Sequence, residues 1–488
     1  MSMSAEAGTG TAVSLLDKIV DEGHMAYDDT QRTYARDLVA EFVNQIVVPG
    51  QTVSADAVES INLRIAEIDR LISEQLNEVL HAPDFQQLEA TYRGMAYLVF
   101  NTETSTRLKL RVLNVSKKDL QRDLEKAVEF DQSALFKMVY EDEYGMLGGT
   151  PYGLLVGDYE FGRHPQDIAL LEKVSNVAAA AHAPFISAAS ARMFDMDSLT
   201  DVGVPRDLAK IFETAEMVKW RSFRNSEDSR YVALCLPHML LRLPYGPDTK
   251  PVEGVNFVEA VDGRDHSKYL WGNAAWAMAA RITDAFAKYS WTGAIRGVEG
   301  GGRVEGLPTH TFRSDEGDIA LKCPTEVAIT DRREKELNDL GFITLVHCKN
   351  TDYAAFFSGQ TANKPKTYDT NEANANARLS AMLPYVMAAS RFAHYVKVMM
   401  RDKVGSFMSR DDVDAYLNRW MNNYILSDDT AAPSMKAQYP LREGRVDVTE
   451  VPGKPGAYRA TIFLRPHFQL EELSASIRLV ADLPAPAA

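Results

Sequence analysis

The chain has 488 residues, 45% of them hydrophobic and 25% charged, enough for two or three domains with sizeable cores. Its 68 acidic residues exceed the 53 basic ones, for a formal charge of -15, so the average surface repels nucleic acid and anionic lipid. Cys235, Cys323 and Cys348 are odd in number, far apart and free of any CxxC, which argues against a disulfide framework or a zinc site and for a reducing compartment.

Residues 1–12 are small and polar and are expected to be disordered, because they bury nothing to offset the entropy of ordering. The opening sequence does not read as a secretory signal. No stretch approaches the roughly 18 uninterrupted apolar residues of a membrane span, so a soluble cytoplasmic protein without membrane insertion is expected. In SLLDKIVDEG, Ser14 caps a short helix with Asp17 at its third position, Leu15, Leu16, Ile19 and Val20 form one apolar edge, and Gly23 is expected to end it. A helix this short is marginal in water and needs something to dock on.

Tyr34, Leu38, Phe42 and Ile46 recur every fourth residue in a second helix over 30–48, stopped by Pro49 and Gly50. A third helix starts from a cap at Asp56. Its apolar residues Val58, Ile61, Ile65, Ile68, Ile72 and Val79 alternate three and four apart, a heptad-like seam interrupted at Gln75. The seam is too short for a free coiled coil. It packs either in an intramolecular hairpin or in a small bundle with a partner's helices.

From about 85 to 430, short apolar runs alternate with helical patterns, the mark of a mixed α/β fold. Strands are expected at Arg107–Val112, Tyr152–Val156, Tyr231–Leu236 and Phe342–His347. Helices are expected over 117–128, 166–182, 205–219, 270–287, 331–339 and 410–425, with a long one over 372–403 bent at Pro384. Residues 296–306, RGVEGGGRVEG, read as a flexible surface loop. Arg445–Val451 and Ala457–Leu464 read as a hairpin, followed by a last strand in SASIRLVADL. The organisation is thus a disordered start at 1–12, a helical segment at 13–82, a central mixed α/β region at 83–370, a C-terminal domain at 371–470, and a terminal strand and tail at 471–488.

Catalytic signatures are missing. The glycines at 300–302 neither follow an apolar strand nor open a helix, as phosphate cradling requires, and no GxxxxGK[ST] occurs. Gly145, Gly148, Gly149 and Gly153 read as a turn entering a strand. The ten histidines lack HExxH or HxH spacing, and a lone His such as His238 reads as structural. GxSxG is absent, Ser358 lacks the first glycine of that motif, and Cys235 inside an apolar strand reads as a small buried hydrophobe. No catalytic, cofactor-binding or metal residue is therefore assigned, and no cofactor is expected. The terminal strand Ser474, Ala475, Ser476, Ile477, Arg478, Leu479, Val480 either closes its own sheet or joins a neighbour's by strand addition.

FLRPHFQLEELSASIRLVADLP (463–484), with LEATYRGMAYLV, YGLLVGDYEF, APFISAAS, YVALCLPHMLLRLPYG and YLWGNAAWAMAARI in order before it, resembles the large sheath subunit of type VI secretion systems, the TssC/VipB family. The resemblance covers nearly the whole chain. It implies a non-enzymatic protomer that forms an obligate heterodimer with a small sheath subunit. The dimers polymerise with other protomers around an inner tube of hexameric rings on a baseplate, and contract to drive tube and effectors into a target cell. It also implies that Ser14, Leu15, Leu16, Ile19 and Val20 form the helix engaged by a recycling AAA+ unfoldase. By the same resemblance, Ile61, Ile65, Ile68 and Ile72 face the small subunit, 474–480 interlaces protomers, and 371–470 faces the tube. The alternatives are the sheath of a phage-tail-like injection device and a cytosolic enzyme without a recognisable motif.

Overall fold

Breakers and apolar spacing set the first helices, and the computed structural model, which describes residues 15–46, 57–314, 317–428, 430–453, 457–467 and 469, contains all three. They are α1 (Leu15–Glu22), α2 (Asp29–Ile46) and α3 (Ala57–Leu80). Ser14, Pro49, Gly50 and Asp56 lie outside the described residues, as do residues 1–12 and 471–488. Helix α1 stops at Glu22, directly before Gly23 as expected, but the left-handed residue is the next one. Met25 N–H donates to Val20 O (3.2 Å) and His24 N–H to Asp21 O (3.3 Å), and His24, not Gly23, takes the left-handed backbone at φ 49°. These helices up to Val79, with Tyr245–Glu259, make one compact unit; Leu80–Pro244 and the described residues from Ala260 onward make the other.

The second unit is a mixed α/β body. It opens with α4 (Pro83–Phe100), which carries Gly94 where a Cβ would come within 2.3 Å of the Trp276 ring. Its main sheet contains β1 (Leu155–Phe161), β2 (Phe185–Ala189), β3 (Val232–Leu236), β4 (Arg303–Val304), β5 (Phe342–His347) and β6 (Ala354–Phe356), in the order β1-β2-β3-β5-β6-β4. The first four strands in that order are parallel and the last two pairings are antiparallel. Alternation explains its apolar composition. Val232, Leu234, Leu236 and Phe342 enter one core with Leu171 and Val174 of α5 (Pro165–Ala181), while Ala233, Cys235, Ile343 and Leu345 enter the opposite core with Met278 and Ile282 of α6 (Ala274–Tyr289). Cys235 is fully buried, and burial pushes its thiol up to about 12.

A third core joins α8 (Leu383–Asp402) and α9 (Arg410–Met421) to a two-stranded sheet of β7 (Leu441–Glu450) and β8 (Tyr458–Pro466), the expected hairpin. The long helix expected over 372–403 is instead two, α7 (Asn371–Ser380) and α8. Pro384 lies in the first turn of α8, where its missing N–H is harmless, whereas inside a continuous helix it would clash with the carbonyl four residues before it. Ala381 O in the break accepts from Thr361 N at 2.9 Å.

Other expectations are corrected. The helix over 205–219 divides into Leu208–Glu213 and Val218–Asn225, with the Arg221 guanidinium taking the carbonyls of Phe212 (2.6 Å) and Thr214 (2.7 Å) left at the break. The helix over 270–287 begins only at Ala274, because Asn273 caps it and Trp271–Gly272 pair with Met239–Leu240. The strand at 152–156 is shifted to Leu155–Phe161, and Arg107–Val112 joins no ladder among the described residues. There Arg111 is held by side chains, Glu143 and Tyr152, rather than by a neighbouring backbone. The 296–306 stretch is tucked in rather than free. Val304 is buried in the sheet, Gly297 N–H donates to Phe356 O (2.7 Å), and a Cβ on Gly302 would come within 2.6 Å of that same oxygen.

Candidate functional site

The N-terminal helices bury little of their apolar surface. On α1, Val20 is 2% exposed and Leu16 half-buried, while Ile19 remains 41% exposed. Ion pairs of Asp21 with Arg32 and Asp17 with Arg36 tie α1 to α2. Ala35 is the buried residue of α2, flanked by half-buried Val39 and Phe42, so the expected Tyr34 and Leu38 point outward and stay exposed. Backbone places Leu15 in α1, and Ser14 lies outside the described residues.

Polar groups anchor α3 within its unit. The buried Asp69 accepts from Asn256 Nδ2 (2.9 Å), and Asn77 Nδ2 donates to Val258 O (3.3 Å). About a quarter turn away, Ile61, Ile65, Ile68 and Ile72 stack in one stripe and are 41%, 48%, 42% and 37% exposed. These four isoleucines form a contiguous half-exposed apolar stripe along one face of α3. The spacing identified these residues; that they lie outside the chain's own core is new.

The C-terminal hairpin supplies a second surface, which the sequence reading placed only at 474–480, a segment outside the described residues. Strand edges attract strands, and one edge here is closed by side chains. A capping box of Ser409 and Asp412 starts α9, which lies along β7. Asn418 of α9 accepts from Val446 N–H (2.9 Å) and donates to Val446 O (2.7 Å), and Asp414 accepts from Val448 N–H (3.0 Å). Val446 and Val448 therefore turn their backbone groups away from β8. Their partners Ile462 and Ala460 in the antiparallel register must do the same on the other side. The outer edge of β8 thus presents the backbone of Ala460 and Ile462, and no strand pairs with it among the described residues. Polar residues four apart on an otherwise core-facing helix, Asp414 and Asn418, were the sequence signal for this capped edge.

Past β8 the chain is pinned again. Gln469 Nε2 donates to Gly293 O (2.8 Å), its Oε1 accepts from Arg296 Nε (2.6 Å), and Tyr385 OH donates to His467 O (3.2 Å). The segment beyond residue 469 therefore starts from a fixed point.

One buried charge cluster required a chemical reading. His238, expected to be structural, lies between Glu326 (Nδ1, 2.5 Å) and the more exposed Glu160 (Nε2, 3.0 Å), and His266 Nε2 is 3.2 Å from Glu326. Burial opposes charge on His238, but hydrogen bonds to both carboxylates outweigh it and push its pKa up to about 10. Burial likewise opposes charge on Glu326, and the hydrogen bonds from His238 and His266 outweigh it and bring its pKa down to about 2. Neither His238 nor Glu326 is poised to exchange a proton near neutrality, so the pair serves as a structural clamp rather than an acid–base site.

The clamp has a stated pH signature. The raised His238 contributes fully below its ordinary 6.5 and loses that contribution as pH rises through about 10. The lowered Glu326 contributes above its ordinary 4.5 and loses it as pH falls toward about 2. His238→Gln is expected to cost roughly 3 kcal/mol near neutrality, the low end for breaking a buried ion pair because Glu160 is half exposed. Denaturant melts between pH 6 and 10 check this, since the gap between wild type and variant should narrow as pH rises.

Comparison with known proteins gives the chain's family. Residues 62–363 match the family described as EvpB/VC_A0108, tail sheath N-terminal domain, and residues 372–483 match the EvpB/VC_A0108, tail sheath gpW/gp25-like domain. The type VI secretion system sheath protein TssC1 of Pseudomonas aeruginosa PAO1 is 52% identical over 436 residues, covering 89% of this chain and 88% of that protein. Among solved structures, the baseplate of the anti-feeding prophage has a TM-score of 0.37 at 11% identity, covering 77% of this chain and 83% of that one. The contracted helical sheath of the same particle has a TM-score of 0.29 at 11% identity, covering 63% and 66%. At these TM-scores the structural likeness is loose, and nothing below depends on it. With matches across both domains and half of all aligned residues identical to a sheath protein, the chain belongs to the EvpB/VC_A0108 tail sheath family.

Proposed function

We propose that the chain is the large structural subunit of a type VI secretion contractile sheath, acting in the bacterial cytoplasm without catalysis. It pairs with a small sheath subunit through the isoleucine stripe of α3, polymerises around an inner tube on a baseplate, and contracts to propel the tube. The half-capped hairpin is the observation that carries the polymer part of this reading. One edge is closed by Asn418 and Asp414 and the other presents ladder positions unpaired among the described residues, so strand addition to this hairpin has one side to occur on.

The proposed donor is residues 474–480 of another protomer. The donor strand starts five residues beyond the pinned Gln469, a tether of about 17 Å when extended. Backbone pairing links protomers firmly while the tether lets them rotate, which suits a lattice that changes its pitch. Deleting residues 474–488 is expected to abolish filaments and leave a soluble heterodimer; normal filaments after deletion, seen by electron microscopy, refute this donor.

For α1 the proposed partner is a recycling AAA+ unfoldase, with the exposed Ile19 as an anchor beside Leu15 and Leu16. Ile19→Asp is expected to weaken unfoldase binding by tenfold or more, about the 1.4 kcal/mol or more of one lost apolar contact, with assembly intact. A pull-down of assembled sheath against the unfoldase checks it, and undiminished binding places recognition elsewhere.

A further inference from the structure

In a chain of net charge -15, one cleft gathers three cations against a single lining carboxylate. A pocket of about 190 Å³ lies between the turn after Val218–Asn225, the 363–368 loop and one side of α7. Arg230, Lys364 and Lys366 line it, with Asn225 and Asn376 as neutral hydrogen-bonding groups. Glu227 is the one carboxylate in the lining, and it pairs with Lys366 at 3.6 Å.

Arg230 and Lys364 have no such partner. Neither makes an ion pair with a described residue, and Arg230 Nε is buried without a hydrogen-bond acceptor. Asp228, two residues before Arg230, interacts with it through space only. A buried guanidinium N–H is seldom left unpaired, because it loses water and gains nothing in return. The volume is below the roughly 300 Å³ of sites for drug-sized ligands, so the occupant is a small group rather than a whole cofactor.

We propose that this pocket binds an oxyanion, held by Arg230 and Lys364 with amide support from Asn225 and Asn376. Guanidinium and ammonium groups lining one polar cleft suit the paired oxygens of phosphate or carboxylate. Two sources offer that chemistry: free phosphate, and an acidic side chain of a second copy of this chain. The site is independent of the sheath reading, since anion binding is measured on the chain alone.

Calorimetric titration of the purified full chain with inorganic phosphate, at ionic strength fixed with chloride, tests it. Saturable binding is expected in the wild type, at least fivefold weaker in Lys364→Gln and at least tenfold weaker in Arg230→Gln. Lys210→Gln, at an exposed position of the Leu208–Glu213 helix elsewhere, should bind as wild type does. Lys364 is exposed, so its variant keeps the result readable even if Arg230→Gln folds poorly. Absence of wild-type binding, or equal affinity in Lys364→Gln and wild type, overturns the proposal. Filament assays of Lys364→Gln then separate the sources. Impaired assembly, with phosphate inhibiting wild-type assembly over its binding range, assigns the site to a neighbour's carboxylate. Unaffected assembly with lost phosphate binding assigns it to the free anion.

Discussion

Replacing both Ile65 and Ile72 with Asp is expected to abolish co-purification of the chain with the small sheath subunit and to leave its own melting temperature nearly unchanged. The two side chains are 48% and 37% exposed, so the chain's fold draws little on them. In a helix bundle with a partner each would be covered, and covering the part of each isoleucine still exposed is worth about 1 kcal/mol. An aspartate at the same place forfeits that and also needs desolvation, so two substitutions should cost the pair about 5 kcal/mol or more, several thousandfold in affinity. Leu63→Asp, exposed on another side of α3, should spare the complex. Size-exclusion chromatography of the co-expressed pair decides. Co-elution of the double variant at wild-type stoichiometry would remove α3 from the interface.

Ile462→Pro is expected to abolish filaments while preserving both the hairpin and the heterodimer. The parity of the register is the reason: Ile462 is opposite Val446, whose backbone is bound by Asn418, so the Ile462 N–H points away from β7. Proline there removes only an outward donor, which edge strands tolerate. Phe463 is opposite Arg445 and its N–H points into the ladder, so Phe463→Pro should instead break the hairpin and lower the melting temperature. A filament defect shared by both variants, with only the second one destabilised, is the expected pattern in electron micrographs and thermal melts. Normal filaments from Ile462→Pro would exclude strand addition at this edge.

The sequence made some of this readable and hid the rest for physical reasons. Phe342–His347 and the C-terminal hairpin were legible because an apolar run or turn chemistry marked them, and the isoleucine seam because its spacing is helical. Whether that seam met its own chain or a partner depends on long-range packing, chiefly the Asp69–Asn256 contact across 187 positions, which no local pattern carries. Helix α4 was missed because Gly94 weakens its helical signal; the glycine is there for the close approach of Trp276. Arg107–Val112 had the alternation of a strand, yet its arginine is held by Glu143 and Tyr152 rather than by a ladder. Gly297 and Gly302 read as loop by composition, although they serve a tight approach to Phe356. The capped and open edges of the hairpin follow from which face of α9 meets β7, so the open edge became visible only in three dimensions.

The most direct test of the sheath assignment is co-expression of the chain with its small partner followed by negative-stain electron microscopy. Hollow tubules with cogwheel ends are the predicted result. Discrete soluble particles across a range of salt concentrations, with no tubules, would contradict it.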